Sequence, residues 1–384
     1  MSLLSHKPKD VLNLIIDIQS SVIRGALILN KKDQLPHIVW TTDVVIPYRA
    51  DTGSAYLVDM TVKAIETVGQ LANTFLRDTK THAELPKNIS RAHCVLSSPW
   101  IFSQARTISQ QFEKDTKISR AHISEIIQTE RDSLSKSGDD KMIGIEEKIF
   151  DVRLNGYSIS IWDGRTAQSL EISFAVSLAS KNIIQLFTQA IKKANIHGLK
   201  IDFHSSLLLQ HIGISSSLSI NEPYILAHIH GELTDIVVAD GQTCILFGSH
   251  PVGIRTIIRQ LMITLNTSES AIDSMIGLYE TNQLDPLHGS QDVQSIQNAM
   301  ASWIENCNKI ISVIPVKYKP IRAIISSRRH ETLFKNSFSA GYPNLKTELL
   351  PSDEIYKLAT FDQQTEKLRL TGLYSAAINS LENI

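Results

Sequence analysis

Cysteine is scarce in this sequence, and neither sign of charge is in excess. Three cysteines, Cys94, Cys244 and Cys307, lie far apart among 384 residues, and no CxxC pair or Cys/His cluster occurs. Few cysteines, odd in number, argue against a disulfide framework, suit a reducing cytoplasm and offer no zinc site. The formal net charge is −1, so no basic surplus indicates nucleic acid or an anionic membrane as a partner.

Long uncharged apolar runs are missing as well. The run Val11–Ile18 is interrupted by Asn13 and Asp17, and it is too short to span a bilayer. It has no small-residue cleavage site after it, so it predicts a buried strand rather than a signal peptide. No other segment reaches spanning length without charge. We therefore expect any contact with a membrane to be peripheral or through a partner.

The composition is that of a folded protein with more than one core. Hydrophobic residues make up 42% of the chain and charged residues 20%. At 384 residues the chain is longer than a domain with one hydrophobic core usually is, so two or more subdomains are expected. Hairpin strands followed by a helix occur in both halves of the sequence. The pattern predicts a first α/β half at 1–88, an inserted α+β subdomain with its return helix at 89–198, and a second α/β half at 199–384.

Local patterns support this division. Apolar residues recur at helical spacing over 56–77. In the inserted part, 92–97 and 103–108 predict a pair of strands around the sequence SSPW, and Asn155-Gly156 is a strong signal for a hairpin turn. The second half predicts hairpin strands that turn at Asp240-Gly241.

Three segments together resemble one known family, the actin-like ATPases. "LNLIIDIQSSVIRGALI" (12–28) resembles their first phosphate loop, and "AHIHGELTDIVVADG" (227–241) resembles their second. "SHPVGIRTIIRQL" (249–261) resembles the following segment, where a glycine-bearing turn opens a helix. The order of elements is similar to the branch that contains the cell-division protein FtsA and the type IV pilus protein PilM. The resemblance covers nearly the whole chain and implies an actin-like (ribonuclease H-type) two-domain fold with the inserted subdomain of that branch.

The resemblance also implies ATP and Mg²⁺ as cofactors. The implied cofactor-binding residues are Asp17, Ser20, Ser21, Gly231, Thr234, Asp235 and Gly253. Asp17 stands in the acid position of the first loop and is the implied metal residue. No residue is indicated as a catalytic acid, base or nucleophile.

Both loops depart from the family pattern at the positions that would touch phosphate. Glycines let backbone N–H groups approach phosphate oxygens, and an acid organises Mg²⁺. Here Gln19 stands where the first loop has a glycine, and His228 stands where the second has its leading acid. Glu232 would place a carboxylate against the phosphates, and the strand at 323–326 leads into Ser327-Arg328-Arg329-His330 with no glycine. These departures predict reduced or absent ATP hydrolysis.

Each candidate has a structural interpretation beside the functional one. Asp17 either holds a metal-bound water or ends a buried strand as a polar cap of the turn. For Thr234 and Asp235, turn chemistry is favoured over phosphate contact. For His228 and His230, positions in a paired strand are favoured over zinc binding, because two ligands do not make a site.

Two further features are open in the same way. Arg328-Arg329-His330 either reaches an anionic group or forms a solvated loop, and the solvated loop is favoured. Trp100, beside a proline turn, is either an anchor for a partner or a plug of the inserted subdomain's own core.

These observations favour a cytoplasmic assembly scaffold over an enzyme. The resemblance to PilM implies that the partner is the cytoplasmic tail of an inner-membrane pilus or secretion protein, held by the inserted part. The chain would then be peripheral to the inner membrane through that partner. The resemblance to FtsA implies instead an ATP-binding ATPase that self-assembles in cell division. The segment "GLYSAAINSLENI" (372–384) is acidic, whereas the division-protein hypothesis predicts a basic amphipathic helix after the core. This segment therefore favours the pilus-like hypothesis.

Overall fold

The computed structural model describes residues 10–47, 53–78, 84–135, 141–194, 199–284, 290–362 and 369–382. The strands in chain order are β1 (Val11–Ile18), β2 (Val22–Asn30), β3 (His37–Val45), β4 (Arg91–Leu96), β5 (Phe102–Lys117), β6 (Met142–Leu154), β7 (Tyr157–Ser158), β8 (Thr166–Ser180), β9 (Lys200–Ser205), β10 (Pro223–Ile229), β11 (Thr234–Asp240), β12 (Thr243–His250), β13 (Arg322–Ser327), β14 (Lys346–Leu349) and β15 (Thr360–Phe361). The helices are α1 (Ser54–Arg77), α2 (Arg120–Ser135), α3 (Lys181–Lys193), α4 (Ser206–Ser217), α5 (Ile254–Leu265), α6 (Glu269–Glu280), α7 (Ser290–Ile311), α8 (Glu331–Gly341), α9 (Ser352–Ile355) and α10 (Arg369–Glu382), and a short 3₁₀ helix spans Val316–Tyr318.

The chain divides into two compact units, each built from separate stretches. The first unit contains Met1–Trp100, Ser180–Leu218 and Pro351–Ile384, and the second contains Ile101–Ala179 and Ser219–Leu350. The sequence predicted three parts that follow one another along the chain. In the structure the chain leaves the first unit and comes back to it twice, at Ser180–Leu218 and at Pro351–Ile384. The reason is long-range pairing: β9 joins β4 in parallel, and α10 packs on α4. The expected boundary at residue 198 lies outside the described residues.

Among the described residues, the first unit holds a six-stranded sheet in the order β15-β3-β2-β1-β4-β9. The three strands β1, β2 and β3 are antiparallel, and β1, β4 and β9 are parallel. β1 and β2 are buried along nearly their whole length, which explains their almost unbroken apolar sequence. A side chain at Gly25 of β2 would meet Val68 of α1 at 2.4 Å, so glycine lets this helix lie close to the sheet.

The second unit repeats the same plan in a five-stranded sheet. Its order is β12-β11-β10-β13-β14, with β10, β11 and β12 antiparallel and β10, β13 and β14 parallel. Apart from β15, which adds a sixth strand beside β3 in the first sheet, both sheets run third, second, first, fourth, fifth in chain order. The expected repetition of hairpin strands followed by helices is confirmed by these matching orders.

The inserted segment of the second unit forms its own module, a four-stranded sheet in the order β5-β8-β6-β7. Its core contains Ile123 and Ile127 of α2 together with Leu170, Ile172 and Phe174 of β8. The hairpin turn at Asn155-Gly156 is confirmed, since both residues have positive φ and Leu154 pairs with Tyr157.

One predicted strand pair in this region is wrong. The sequence predicted that 92–97 and 103–108 pair with each other around SSPW. Instead β4 lies in the first unit's sheet between β1 and β9, and β5 pairs with β8 in the module. The physical difference is burial: β4 is a continuous buried run, whereas most of β5 is exposed or half-buried.

Trp100 does not plug the core of the module. It is buried in the first unit, edge-on to Phe187 of α3 with ring centroids 5.4 Å apart. Because the ring is covered by its own unit, it is not an exposed anchor for a partner either.

Candidate functional site

The first candidate loop is the turn between β1 and β2. The Gln19 N–H donates to the Val22 carbonyl at 3.2 Å, and the Ile46 N–H donates to the Ser21 carbonyl at 2.9 Å. Ser20 is fully buried and Ser21 is partly exposed. Asp17 is the last residue but one of β1, and Ser20 and Ser21 lie in the turn that follows it.

Asp17 belongs to a row of charges that crosses three strands. It lies opposite Arg24 on β2, and Arg24 lies opposite Asp43 on β3, so the three side chains share one face of the sheet. An Arg24 nitrogen lies 3.8 Å from the Asp17 carboxylate, and Arg24 Nε lies 3.2 Å from Asp43 Oδ1. Gln19 Nε2 also donates to Asp17 Oδ2 at 2.9 Å. Asp17 is only 2% exposed, and its charge is balanced by a guanidinium from its own hairpin.

A buried tyrosine of the first unit interacts electrostatically with Asp17. Tyr374 of α10 shares a hydroxyl hydrogen bond of 2.8 Å with Ser206 of α4, and Gln210 Nε2 donates to Tyr374 Oη at 3.3 Å. Burial raises the pKa of Tyr374 well above its usual value, and the negative charge of Asp17 raises it further. The hydroxyl is therefore neutral and acts as a structural hydrogen-bonding group.

The second candidate loop, between β10 and β11, is closed by its own chain. The His230 N–H donates to the Leu233 carbonyl at 3.1 Å, which makes the turn tight. The first amides of α5 then bind this turn: Ile254 N–H donates to the His230 carbonyl at 3.1 Å and Arg255 N–H to the Gly231 carbonyl at 2.8 Å. Donors at a helix N-terminus are the groups that bind phosphate in a nucleotide site. Here two of them already have partners.

Gly253 makes this contact possible. A Cβ at Gly253 would lie 2.3 Å from the His230 carbonyl oxygen and 2.5 Å from that of Gly231. The glycine therefore lets the helix turn approach the hairpin turn, and the space that a phosphate would need holds backbone.

The second unit has a polar row at the strand positions that correspond to the row of Asp17. His228 lies opposite Asp235 and Ser326, and Asp235 lies opposite Ser249. Ser249 Oγ donates to Asp235 Oδ1 at 2.6 Å, and His230 Nε2 lies 3.1 Å from Asp235 Oδ2. His228 Nδ1 lies 3.2 Å from Ser326 Oγ. The hairpin β10–β11 corresponds to the hairpin β1–β2 of the first unit. His228 on β10 therefore corresponds to Asp17 on β1, and Asp235 on β11 corresponds to Arg24 on β2.

Thr234 is held inside the protein rather than aimed at a ligand. Its hydroxyl donates to the Val252 carbonyl at 2.8 Å and accepts a hydrogen bond from Trp303 Nε1 at 3.0 Å. Both Thr234 and Trp303 are fully buried. The hydroxyl thus fixes α7 and the loop before α5 against β11.

Glu232 has a partner of its own. Arg259 of α5 makes a two-pronged ion pair with it, with Nη1 to Oε1 at 3.0 Å and Nη2 to Oε2. The carboxylate of the turn is therefore neutralised by the helix that closes the turn.

His250, at the end of β12, adds a third imidazole to this region. Its Nε2 lies 3.4 Å from Cys307 Sγ of α7. Burial lowers the pKa of His250 to about 4, and the opposing charge of Asp235 only partly offsets this. His250 is therefore neutral near pH 7. Within the described ranges, no three His, Cys, Asp or Glu side chains come together in a group that could hold a metal ion.

The loop after β13 is bound to α6, so the solvated loop expected there is not what forms. Arg329 makes an ion pair with Asp273, and His330 Nε2 lies 2.6 Å from the same carboxylate. His330 Nδ1 lies 3.0 Å from Glu280 Oε2. Burial raises the pKa of Asp273, but hydrogen bonds from His330 and Arg329 outweigh it and hold that pKa below its usual value. The side chains of Arg329 and His330 are thus held by acids of the same unit.

These arrangements can be tested against the requirements of Mg-ATP. A phosphate needs free backbone donors, and the amides of Ile254 and Arg255 are occupied. A carboxylate that organises Mg²⁺ needs open oxygens and water, whereas Asp17 is buried beside Arg24. The residues of these loops, as they stand, do not fit a magnesium nucleotide. The assignments of Asp17, Ser20, Ser21, Gly231, Thr234, Asp235 and Gly253 to a cofactor stay predictions.

The two matched sheets define the class of the protein by its fold, which is actin-like (ribonuclease H-type) α/β. A solved structure described as the PilM-PilN type IV pilus biogenesis complex matches this chain with a TM-score of 0.65. The match covers 95% of this chain and 96% of that chain at 10% sequence identity, and identity this low shows the fold alone. The expected resemblance to the PilM branch is thereby confirmed for the fold.

Two other solved structures match less well. The ethanolamine utilization protein EutJ from Carboxydothermus hydrogenoformans has a TM-score of 0.47 at 10% identity and covers 97% of this chain and 91% of its own. The apo pSK41 ParM protein has a TM-score of 0.39 at 9% identity and covers 98% of this chain and 99% of its own. No protein-family model matches the chain. No curated protein matches it either.

Sequence reasoning missed the partners that neutralise these loops. Arg24, Arg259 and Trp303 were not singled out, although each bonds a residue that was. Hairpin register carried a usable signal for one of them: if Ile18 pairs with Ile23, then Asp17 must lie opposite Arg24. No comparable local signal links Arg259 to Glu232 or Trp303 to Thr234.

Proposed function

We propose that this chain is a cytoplasmic actin-like assembly scaffold that hydrolyses ATP poorly or not at all. It docks on the cytoplasmic tail of an inner-membrane protein in a machine of the type IV pilus or secretion kind. The observation that carries the proposal is the closed second loop, where the turn's own carbonyls occupy the first amides of α5. A fold kept without an open phosphate site is suited to binding other proteins.

The similarity to the PilM-PilN complex supports the pilus-like form of the proposal. That structure pairs a protein of this fold with a second protein in type IV pilus biogenesis. The described helices of this chain include none with the length and apolar character needed to cross a bilayer.

The inserted module is the proposed docking surface for that tail. It has its own core, and two large apolar side chains are exposed at its β7 edge: Tyr157 of β7 at 76%, and Ile161 of the loop just after β7 at 74%. Exposed apolar groups at the edge of a small sheet are suited to holding an extended peptide.

Isothermal titration with Mg-ATP tests the loss of nucleotide chemistry. We expect no binding or only millimolar affinity. Micromolar affinity that is lost in Asp17→Ala, with the fold of the variant checked by circular dichroism, would contradict the proposal. It would favour the competing hypothesis of an FtsA-like polymerising ATPase.

Sedimentation separates the two hypotheses by a second route. A division-type ATPase should form assemblies that pellet with Mg-ATP and not with Mg-ADP. We expect sedimentation of this chain to be the same with either nucleotide and without one. Pelleting that depends on ATP would overturn the proposal.

The partner is tested by capture from detergent-solubilised membranes followed by binding of a synthetic peptide. We expect a captured inner-membrane protein whose cytoplasmic tail, made as a peptide, binds the wild-type chain and binds Ile161→Asp at least about tenfold more weakly. Ile263→Asp is the matched control, because Ile263 is 82% exposed on α5, outside the module. Equal binding by all three proteins would exclude the module edge as the docking surface.

A further inference from the structure

The loop between α7 and β13, residues 312–321, presents apolar side chains to solvent. Val313 is 65% exposed, Val316 is 88% exposed and Ile321 is 56% exposed. Val316 lies in the 3₁₀ helix at the centre of the loop, where no neighbour covers most of its surface. Three branched aliphatic side chains within nine residues are a large apolar exposure for one short surface segment.

The same loop is basic and contains no acid. Between Glu305 and Glu331 the sequence has no aspartate or glutamate, and Lys317 and Lys319 lie beside Val316. Among the described residues, neither lysine has an ion-pair partner within 4 Å. Lys317 lies over the ring of Tyr318, with its Nζ 4.5 Å from the ring centroid. The carboxylate of Glu171 on β8 lies 3.6 Å from Arg153 and so forms its ion pair there rather than with Lys317. The charges of both lysines are therefore available to an external anion.

The loop is held in a defined shape by its own backbone. Tyr318 N–H donates to the Pro315 carbonyl at 2.9 Å, and Lys319 N–H donates to the Val316 carbonyl at 3.1 Å. At its end, the Ile321 N–H donates to the Pro223 carbonyl and the Ile321 carbonyl accepts from Lys346 N–H. The exposed valines are thus presented by an ordered turn, and no folding of the loop is needed before it binds.

We propose that the 312–321 loop is a direct contact for an anionic lipid bilayer surface. Val313, Val316 and Ile321 enter the boundary between headgroups and acyl chains. Lys317 and Lys319 bind the phosphate groups around them. This combination of protruding aliphatic side chains and lysines is how interfacial segments bind anionic membranes.

A lipid surface fits the loop better than a protein partner. Protein interfaces concentrate their binding energy in aromatic and arginine side chains that fill pockets. A side chain that is 88% exposed lines no pocket, and the apolar members here are valine and isoleucine. A fluid bilayer closes around separate protruding groups, whereas a protein surface must offer a matching cavity for each.

The proposal is compatible with the overall charge and independent of the proposed scaffold function. The net charge of −1 provides no global attraction to an anionic membrane, but the local segment carries only positive charge. At physiological salt, only charges within about 8 Å of the surface contribute strongly, so the loop and not the whole chain sets the attraction. The contact requires neither a partner's tail nor a nucleotide.

Vesicle flotation of the purified full-length chain tests the contact. We expect the chain to float with vesicles of phosphatidylethanolamine and phosphatidylglycerol in equal parts, and not with phosphatidylcholine vesicles. Val316→Asp should lower the partition coefficient by at least about tenfold, because it places a carboxylate at the depth of the acyl boundary. Lys317→Glu/Lys319→Glu should lower it to a similar extent and remove its dependence on salt.

Two control variants make the same kinds of substitution outside the 312–321 loop. Ile263→Asp introduces a carboxylate at another highly exposed aliphatic position of the second unit. Lys181→Glu/Lys192→Glu makes the same change in net charge on α3. Both should float like the wild type, and unchanged thermal melting shows that each variant is folded. Flotation that does not depend on phosphatidylglycerol, or that survives in Val316→Asp, overturns the proposal. Loss of partner capture without loss of flotation in Val316→Asp overturns it as well, and assigns the loop to a protein.

Discussion

Asp17, Arg24 and Asp43 form a buried line of alternating charge in the first unit. An ion pair out of water has lost hydration, and the attraction between the partners must replace it. Removing one member leaves a buried charge without compensation, which is more costly than the pair itself is favourable. The row is therefore a structural element of the hairpin as well as the place where a metal was predicted.

Replacement of Arg24 measures this dependence. Arg24→Met should lower the free energy of unfolding by about 3–5 kcal/mol, because it leaves the Asp17 carboxylate buried and uncompensated. Arg120→Met is the control, since Arg120 is 83% exposed and its ion pair with Asp163 should contribute at most about 1 kcal/mol. Urea unfolding of both variants provides the comparison, and equal losses would show that Arg24 does not compensate Asp17.

His250 makes the stability of the second unit depend on pH. Burial lowers the pKa of its imidazole from 6.5 to about 4. The unfolded chain therefore binds more protons than the folded one between these values, and stability falls as pH falls through that window. The expected loss between pH 7 and pH 5 is about 2 kcal/mol from this one group.

Urea unfolding at pH 7 and pH 5 measures that loss. His250→Asn should show a smaller difference between the two pH values than the wild type, whatever its absolute stability, because it no longer takes up the proton. An unchanged difference would mean that other groups, such as His93, whose pKa burial lowers to about 3, dominate the pH dependence.

The junction of the β10–β11 turn with α5 is the element that decides the state of the second loop. Its amide-to-carbonyl bonds need the two backbones in contact, and Gly253 is where they touch. The φ of Gly253 is −112°, so the requirement for glycine here is one of space and not of backbone conformation.

Two glycine-to-alanine substitutions distinguish a steric requirement for glycine from the effect of glycine on helix propensity. Gly253→Ala should lower the free energy of unfolding by about 1–3 kcal/mol, because its Cβ would overlap the carbonyl oxygens of His230 and Gly231. Gly277→Ala on α6 meets no atom within 4 Å and should raise stability by about 0.5–1 kcal/mol through helix propensity. Thermal melts of the two variants should move in opposite directions, and a stabilising Gly253→Ala would show that the turn and helix are not in contact.

At the scale of the whole molecule, the inserted module is a long insertion whose first and last residues lie next to each other. Ser103 and Ser177 share a hydrogen bond of 2.8 Å between their hydroxyl groups, so the chain leaves and re-enters at one place. A segment with adjacent ends and its own core can be removed with little strain on the rest. The contact between β5 and β12 is the part of the second unit that such a removal exposes.

Deletion of 104–176 with a short glycine-rich linker should therefore leave a folded protein. Circular dichroism should show a cooperative melt, at a temperature lowered by the loss of the β5–β12 contact. The deleted chain should fail to bind the tail peptide and should still float with anionic vesicles, since the 312–321 loop is retained. A deletion variant that binds the peptide as the wild type does would move the docking surface out of the module.

Local patterns predicted the elements formed by neighbouring residues. The hairpins, the helical spacing over 56–77 and the Asn155-Gly156 turn were recoverable, because apolar periodicity and turn chemistry act over a few residues. The predicted pairing across SSPW failed because adjacency in sequence does not decide which strands share a sheet. Local patterns leave open whether two short apolar strands pair with each other or with partners farther along the chain.

Sequence alone was enough for the α/β class and for the resemblance of the order of elements to the actin-like fold. Three features were decided by tertiary structure. These are the parallel addition of β9 to β4, the pairing of Asp17 with Arg24, and the bonds from the α5 amides to the His230 and Gly231 carbonyls. The physical reason is that local sequence specifies only the residues of a loop, while the groups that contact the loop come from distant parts of the chain that folding brings together.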